Sequence, residues 1–121
     1  MPSKMPSQPS NAGKDPQTKA KSEKLFFVKV HSHGADVVVA VCDRELLGKN
    51  FTEGDFVLEI REEFYGGKLA TFDEVYELMR TATIVNVIGE KIVGELVRRK
   101  IIEEEALIHI CGIPHVQIIT V

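Results

Sequence analysis

Apolar and polar residues alternate from residue 25 onward, which indicates a strand at the start of the apolar part of the chain. Phe26, Val28 and Val30 fall on one face of this strand and predict its core side. Turn residues at 33–36 separate it from residues 37–42, a run that is apolar on both faces. Such a run is typical of a central strand, so we expect the two strands to pair as a hairpin.

A third strand is predicted after a short capped turn. Asp43 can cap a helical turn that ends at Gly48, because an Asp side chain accepts hydrogen bonds from the first backbone N–H groups of a helix. A tight turn at 52–55 then leads into alternation over 56–61, which predicts the strand. The charged residues 62–68 are expected to form a loop.

Two helices are predicted next. Thr71 and Glu74 have the spacing of a capping box, in which each side chain bonds a backbone N–H at the helix start. The stripe at helical spacing consists of Phe72, Val75, Tyr76, Met79 and Ala82. A second helix is expected over 84–100, and close packing against the sheet would explain Gly89 and Gly94 inside it. Its core stripe consists of Val85, Ile88, Ile92 and Leu96.

Two strands, over 107–111 and 115–121, complete the predicted order β-β-β-α-α-β-β. Strands and helices are segregated along the chain and do not alternate regularly. This segregation predicts an α+β fold, with a largely antiparallel sheet of about five strands and two helices packed on one face.

The composition divides the chain at residue 24. Residues 1–24 are rich in Ser, Pro and Lys and carry five lysines against two carboxylates. They contain too few apolar side chains to offset the entropy lost on ordering, so we expect a disordered basic tail. Residues 25–121 carry ten Lys or Arg against sixteen Asp or Glu, and we expect a single acidic α+β domain there.

The sequence lacks the features of a secreted or membrane-inserted chain. No apolar segment follows the N-terminal lysines, and no run of about 18 apolar residues is present. We therefore expect a cytoplasmic protein with no membrane contact. In that compartment Cys42 and Cys111 are expected to remain reduced thiols.

Five short blocks, taken in order, carry a resemblance to a known family. They are Val28-Lys29-Val30-His31; Cys42-Asp43 with Glu45-Leu46-Leu47-Gly48-Lys49; Glu63-Phe64-Tyr65-Gly66-Gly67; Ala82-Thr83-Ile84 with Asn86; and Gly112-Ile113-Pro114-His115 with Gln117-Ile118. Over residues 26–121 the chain resembles the archaeal domain-of-unknown-function 424 family. The resemblance implies a small intracellular archaeal protein without an assigned activity or catalytic residues. It also implies a genomic setting similar to that of translation components.

Two loops are candidate docking surfaces, because aromatic and Pro side chains in loops offer contact area at little ordering cost. They lie at 63–67 and 112–115. The candidate binding residues in and beside them are Phe64, Tyr65, Gly66, Gly67, Pro114, His115 and Gln117. An alternative interpretation, equally compatible with the sequence, is that Phe64 and Tyr65 only cover the core.

A basic triplet ends the second predicted helix. Arg98, Arg99 and Lys100 complement the negative end of the helix dipole, which explains them without a ligand. Together with the tail lysines they could instead contact RNA phosphates. The acidic domain argues against a broad RNA footprint. Asn86 is expected to help cap this helix.

A metal or thiol site is the alternative chemistry that the sequence permits. Residues two apart on a strand share a face, so His31 with His33, and His109 with Cys111, could each supply two ligands to zinc. Standard metal motifs such as Cys-x-x-Cys are missing. We therefore expect no cofactor, with zinc or a nucleophilic cysteine as the alternative.

The favoured hypothesis is a non-enzymatic binding or adaptor protein that docks on RNA, the ribosome or a translation-related protein. The first alternative is a small metal- or thiol-dependent enzyme that uses the His and Cys residues. The second is a structural homo-oligomer that associates through a sheet edge.

Overall fold

The computed structural model describes residues 23–120, which form one six-stranded sheet, a two-stranded hairpin and short helices. The strands are β1 (Phe26–His33), β2 (Asp36–Asp43), β3 (Asn50–Glu53), β4 (Phe56–Glu59), β5 (Lys68–Ala70), β6 (Ile84–Ile88), β7 (Ile108–Ile110) and β8 (Ile113–Ile119). The α-helices are α1 (Glu62–Tyr65), α2 (Phe72–Met79) and α3 (Glu90–Arg98), and 3-10 turns form at Arg44–Leu46 and Glu104–Ala106.

The six-stranded sheet has the order β5-β1-β2-β6-β8-β7. All neighbours are antiparallel except β2 and β6, which are parallel. β3 and β4 form the separate hairpin. The predicted α+β class with a largely antiparallel sheet is therefore confirmed.

One face of the sheet carries the main core, beneath α2 and α3. Inward-facing residues of the four central strands meet the apolar stripes of the two helices, as alternation along each strand and periodicity along each helix require. The main core includes Phe26, Val28, Val39, Val41, Val75, Val85, Val87, Ile92, Leu96 and Val116.

A smaller core lies on the opposite face, at one end of the sheet. Its buried members are Ala40, Cys42, Ile60, Tyr65 and Ile88. The 3-10 turn after β2, the β3–β4 hairpin and α1 supply the side chains that cover it, among them Leu46, Leu47, Phe51, Leu58 and Phe64. These elements cover only part of this face, which leaves the rest of it open.

The prediction of a second helix over 84–100 was wrong for residues 84–89. Residues Ile84–Ile88 form β6, in the centre of the sheet, and the helix begins only at Glu90. A short run in which four of five residues are apolar fits a buried strand and a buried helix equally well. Gly89, with a φ of 127°, separates the two elements, since this backbone conformation is strained for every other residue type.

The region between β2 and α2 also differs from the prediction. Asn50–Glu53 forms an unpredicted strand, and the predicted 62–68 loop instead contains α1 and the start of β5. The predicted third strand is β4, but it belongs to the separate hairpin, where Phe56 is 70% exposed. Short amphipathic elements of three or four residues carry too little periodicity to be identified from sequence.

The predicted capping box and the predicted β1–β2 hairpin are confirmed. Thr71 accepts a hydrogen bond from the N–H of Glu74, whose carboxylate accepts one from the N–H of Thr71.

Two positions assigned to core faces are exposed, namely Val30 on β1 at 45% and Tyr76 on α2 at 37%. Val30 lies beyond the end of β5, so its strand forms the sheet edge there.

Asp43 caps a different element from the one predicted. Its side chain makes no hydrogen bond to the 3-10 turn that follows it. Its two carboxylate oxygens instead accept hydrogen bonds from the backbone N–H groups of Lys91 and Ile92, at 2.8 and 2.9 Å. β2 and β6 are parallel, so the end of β2 lies beside the start of α3, and this proximity could not be read from sequence.

The predicted disordered tail falls almost entirely on residues 1–22, which lie outside the described residues. The division of the chain at residue 24 therefore stays a prediction.

Candidate functional site: an open strip of the sheet

The uncovered part of the second sheet face presents two cross-strand rows, which we call the open strip. Pairing across β1, β2, β6 and β8 fixes each row, because directly opposed residues share a face. The first row is Lys29, Ala40, Asn86 and Gln117, and the second is His31, Val38, Ile84 and Ile119. Ala40 is fully buried in the smaller core, so it joins the first row without contributing exposed surface. Ile119 is 62% exposed.

The two rows differ in chemistry. The second row offers three branched aliphatic side chains side by side. In the first row, the amide of Gln117 donates a hydrogen bond to the side-chain oxygen of Asn86, at 3.1 Å. None of the eight residues carries a carboxylate, although the domain as a whole is acidic. The strip therefore combines apolar area with the neutral amide pair and one cation, the Lys29 ammonium at its border. Asn86 lies on β6 and does not act as the predicted helix cap.

Helix α1 forms one border of the strip. The Lys29 ammonium donates a hydrogen bond to the carbonyl oxygen of Glu63, at 2.9 Å, and Nε2 of His31 lies 2.8 Å from the carbonyl oxygen of Phe64. The His31 and Phe64 rings are stacked with their centroids 5.0 Å apart. These contacts satisfy carbonyl groups that a short helix leaves without partners.

The other predicted residues of this loop have structural roles. Tyr65 is buried, and burial, with a smaller contribution from Cys42, raises the pKa of its phenol to about 12. A Cβ on Gly67 would lie 2.2 Å from the carbonyl oxygen of Val28, where the chain crosses the edge of β1. A Cβ on Gly66 would lie 2.7 Å from the carbonyl oxygen of Glu62. Both glycines are explained by close backbone approach.

The second predicted loop contributes residues to both faces of the sheet. Ile113 packs on the smaller core together with Phe64, so the two loops do meet the same cluster. His115 and Gln117 lie on that face as well. Pro114 is buried on the opposite face, since it lies between two residues whose side chains point the other way.

His115 is a titratable group with an unfavourable environment for charge. It lies opposite Ile88 on β6 and Ile108 on β7, and its Nδ1 is buried without a hydrogen-bond partner among the described residues. Burial lowers the pKa of His115 below its usual 6.5. The neutral ring is therefore the form that the fold accommodates.

We expect acid to destabilise the protein in part through His115. A folded-state pKa below the unfolded value means that its stability contribution is complete above pH 6.5 and is lost as the pH falls through the folded-state pKa. Thermal melts at pH 7.5 and at successive steps to pH 5 should show a smaller decline for His115→Gln than for the wild type. Equal declines would contradict a role for His115, and His33→Gln at an exposed strand end is the matched control.

The predicted basic triplet lies away from the open strip. Arg98 and Arg99 both form salt bridges with Glu95, and the Arg99 guanidinium lies 4.2 Å above the ring of Phe72. Phe72 belongs to the core on the helix-covered face. Lys100 follows with a φ of 62°. The structure thus holds the two arginines in internal contacts, and RNA contact by this triplet stays a prediction.

The residues proposed as zinc ligands are divided between distant strands. His31 and His33 lie on β1, whereas His109 and Cys111 lie at β7, four strand positions away in the sheet. At a spacing of roughly 4.8 Å per strand, these pairs are roughly 19 Å apart. Among residues 23–120, no cluster of three or more potential ligands is brought together.

The environment of Cys42 argues against the alternative of a thiol-dependent enzyme that uses this residue. Cys42 is buried in the smaller core, and burial together with the neighbouring Asp43 carboxylate raises the pKa of its thiol to about 12. A thiol of this kind is protonated at neutral pH and is a poor nucleophile. Both cysteines are free thiols, and Cys111 lies partly exposed in the β7–β8 turn.

The start of α3 is a feature that sequence reasoning missed. A helix start after a Gly at the end of a parallel strand is often an anion site. In this protein the Asp43 carboxylate already takes that position, and the ammonium of Lys91 forms a salt bridge with Glu45 at 2.9 Å. Burial raises the pKa of Asp43, while its two N–H donors oppose that rise. The helix start is therefore occupied by the chain's own anion.

No helix within residues 23–120 is both long and apolar enough to cross a bilayer.

Comparison with known proteins agrees with the resemblance found in the sequence. A search of curated proteins finds no match. A crystal structure of an uncharacterized conserved protein from Methanopyrus kandleri is similar, with a TM-score of 0.68 and 28% sequence identity. The similarity covers 79% of this chain and 93% of that one. The sequence pattern of DUF424, a protein family of unknown function, matches residues 30–121, and the chain therefore belongs to that family.

Proposed function

We propose that this protein is a non-enzymatic docking protein whose open strip binds a protein component of an RNA-containing assembly, in the cytoplasm. The observation that carries the proposal is the row of aliphatic side chains beside the Asn86–Gln117 amide pair. Apolar area beside uncharged amides, with the single Lys29 charge at the border, is the chemistry of protein interfaces, whose centres are depleted of charged residues.

The proposed mode of binding follows from the rigidity of the open strip. Its residues sit on four hydrogen-bonded strands, so binding orders few groups that were mobile before. The partner's apolar side chains would cover Val38, Ile84 and Ile119, and its polar groups would bond the two amides. Because no carboxylate lies in these rows, a partner need not bring cations to offset buried negative charge.

A protein partner fits this surface better than bare RNA. Single-stranded RNA is held by several aromatic platforms and by cations along the backbone. The strip offers one stack, His31 on Phe64, and one lysine, Lys29, which already bonds a carbonyl oxygen. Translation components remain the proposed setting, on the basis of the resemblance alone.

The test is a low-salt affinity purification from native lysate, with and without ribonuclease, of the wild type and two variants. Ile119→Asp places a charge on the open strip. Val57→Asp places one at an equally exposed strand position on the hairpin, at 63% against 62% exposure. We expect the partner to survive ribonuclease, to fall about tenfold or more with Ile119→Asp, and to be unchanged with Val57→Asp.

Other outcomes would overturn the proposal in distinct ways. Loss of the co-purified protein after ribonuclease would assign the contact to RNA. If Ile119→Asp and Val57→Asp both lose the partner to the same extent, or both retain it, the open strip is not the docking surface. A mass that rises with concentration, and that Ile119→Asp returns to that of the monomer, would assign the strip to a second copy of the chain.

A further inference from the structure

A groove on the helix-covered side of the sheet runs between α3 and β7, away from the open strip. The volume of this open groove is about 370 Å³. Val93, Gly94 and Val97 of α3 form one wall, and Leu107 with Pro114 form the other. A second groove of about 390 Å³ continues it past Val97 and Glu104 toward Lys100. The combined groove follows α3 from its first to its last turn.

Gly94 leaves room in the α3 wall of this groove. A Cβ placed on Gly94 would have no other atom within 4 Å, so the helix meets open space there. The prediction that Gly94 allows close packing against the sheet is therefore wrong. An unpacked glycine inside a helix is less stable than alanine, because its backbone loses more conformational freedom on folding. Nothing in the packing of the described residues offsets that cost, and a side chain from outside can enter the space.

β7 offers backbone hydrogen-bonding groups beside the groove. The carbonyl oxygen of Pro114 accepts a hydrogen bond from the N–H of Gly89, toward β6. His109, which is opposite Pro114, is therefore in a non-hydrogen-bonded pair, and its N–H and carbonyl point to the open edge. The N–H groups on either side are already used, that of Leu107 by Glu104 and that of Cys111 by Glu53.

The rim of the groove is acidic. Glu90 and Glu104 line it, and Glu103 and Glu105 line its continuation. None of the four is in a salt bridge with another described residue. Arg98 lines the groove and Lys100 lines its continuation, so the four carboxylates outnumber two cations, of which Arg98 is already paired with Glu95. An occupant with positive charge on both sides of an apolar side chain would match this rim.

We propose that this groove binds an extended, basic segment of a partner protein. One apolar side chain enters the space above Gly94, flanking Lys or Arg side chains pair with Glu90 and with Glu103 to Glu105, and the segment's backbone bonds His109. The β7 edge provides only the N–H and the carbonyl of His109. Affinity therefore depends on the apolar contact, the ion pairs and these backbone bonds together. This surface is independent of the open strip.

The test uses the full chain and labelled ten-residue peptides in fluorescence anisotropy. The probe is a peptide with a central Leu flanked by Lys residues, and the matched peptide carries Glu in place of Lys. We expect the Lys peptide alone to bind, with an affinity that falls as salt is raised. Glu104→Lys should weaken binding about fivefold or more, whereas Asp55→Lys, with the same change in charge at the hairpin turn, should change it less than about twofold.

A second variant separates the groove from general charge attraction. Gly94→Leu fills the space beside the α3 wall and raises helix propensity, so the protein should fold and yet lose binding about tenfold. Unchanged binding in Gly94→Leu, or an equal loss in Asp55→Lys, would overturn the proposal. A gain in affinity on removal of residues 1–22 would assign the groove to the chain's own lysine-bearing segment instead of a partner.

Discussion

Gly89→Ala is expected to destabilise the protein severely, by about 3 to 5 kcal/mol, because steric overlap and backbone strain act at the same position. A Cβ on Gly89 would lie 2.4 Å from Cγ of Asp43, and the Gly89 backbone has φ 127° and ψ 147°. Only glycine adopts that conformation easily, which costs other residues about 1–3 kcal/mol, and overpacking adds a similar amount. Chemical denaturation with circular dichroism measures the loss directly.

Gly94→Ala is the matched control, because it makes the same change five residues further on, inside α3. Gly94 has room for a Cβ and does not have a positive φ, so alanine should stabilise the protein by about 0.5–1 kcal/mol. The two substitutions therefore have opposite expected signs. A Gly89→Ala protein as stable as the wild type would contradict the described junction between β6 and α3.

Asp43→Ala is expected to cost about 2 to 4 kcal/mol. The carboxylate accepts hydrogen bonds from Lys91 and Ile92 at the start of α3, and its removal leaves these N–H groups without a partner beside a small cavity. Asp36→Ala, at the other end of β2, is the control. Its side chain is exposed and bonds the Thr83 hydroxyl, so its loss should cost less than about 1 kcal/mol.

The double variant tests whether the two residues form one unit. The alanine Cβ at position 89 meets atoms of the Asp43 carboxylate, so removing the carboxylate removes part of the clash. We expect Gly89→Ala with Asp43→Ala to cost clearly less than the sum of the single losses. Additive losses would indicate that backbone strain alone accounts for the effect of Gly89→Ala.

The junction between β6 and α3 also bears on function, because it argues against a phosphate ligand. The start of α3 follows a parallel strand and a glycine, as phosphate sites often do, but the Asp43 carboxylate occupies it. A phosphate ligand would have to displace a buried carboxylate. The start of α3 therefore does not support nucleotide binding, and the surfaces that we propose for binding remain the open strip and the α3–β7 groove.

Elements defined by neighbouring residues were predictable from the sequence. The capping box of α2 was found because Thr71 and Glu74 are three residues apart, and the β1–β2 hairpin was found because turn residues separate two apolar runs. The docking surface that we propose was predictable only in part. Phe64, His115 and Gln117 lie on or beside the face that carries the open strip, whereas Pro114 and the basic triplet do not.

Only the tertiary structure decided the identity of β6, the partner of Asp43 and the open strip itself. Residues 84–88 became a strand because β2 and β8 supply hydrogen bonds on both sides, which local periodicity cannot reveal. The sequence by itself determined the α+β class, the capping box of α2, the β1–β2 turn and the apolar composition of the core. Which distant side chains meet depended on strand order, since contacts across a sheet join residues far apart in the chain.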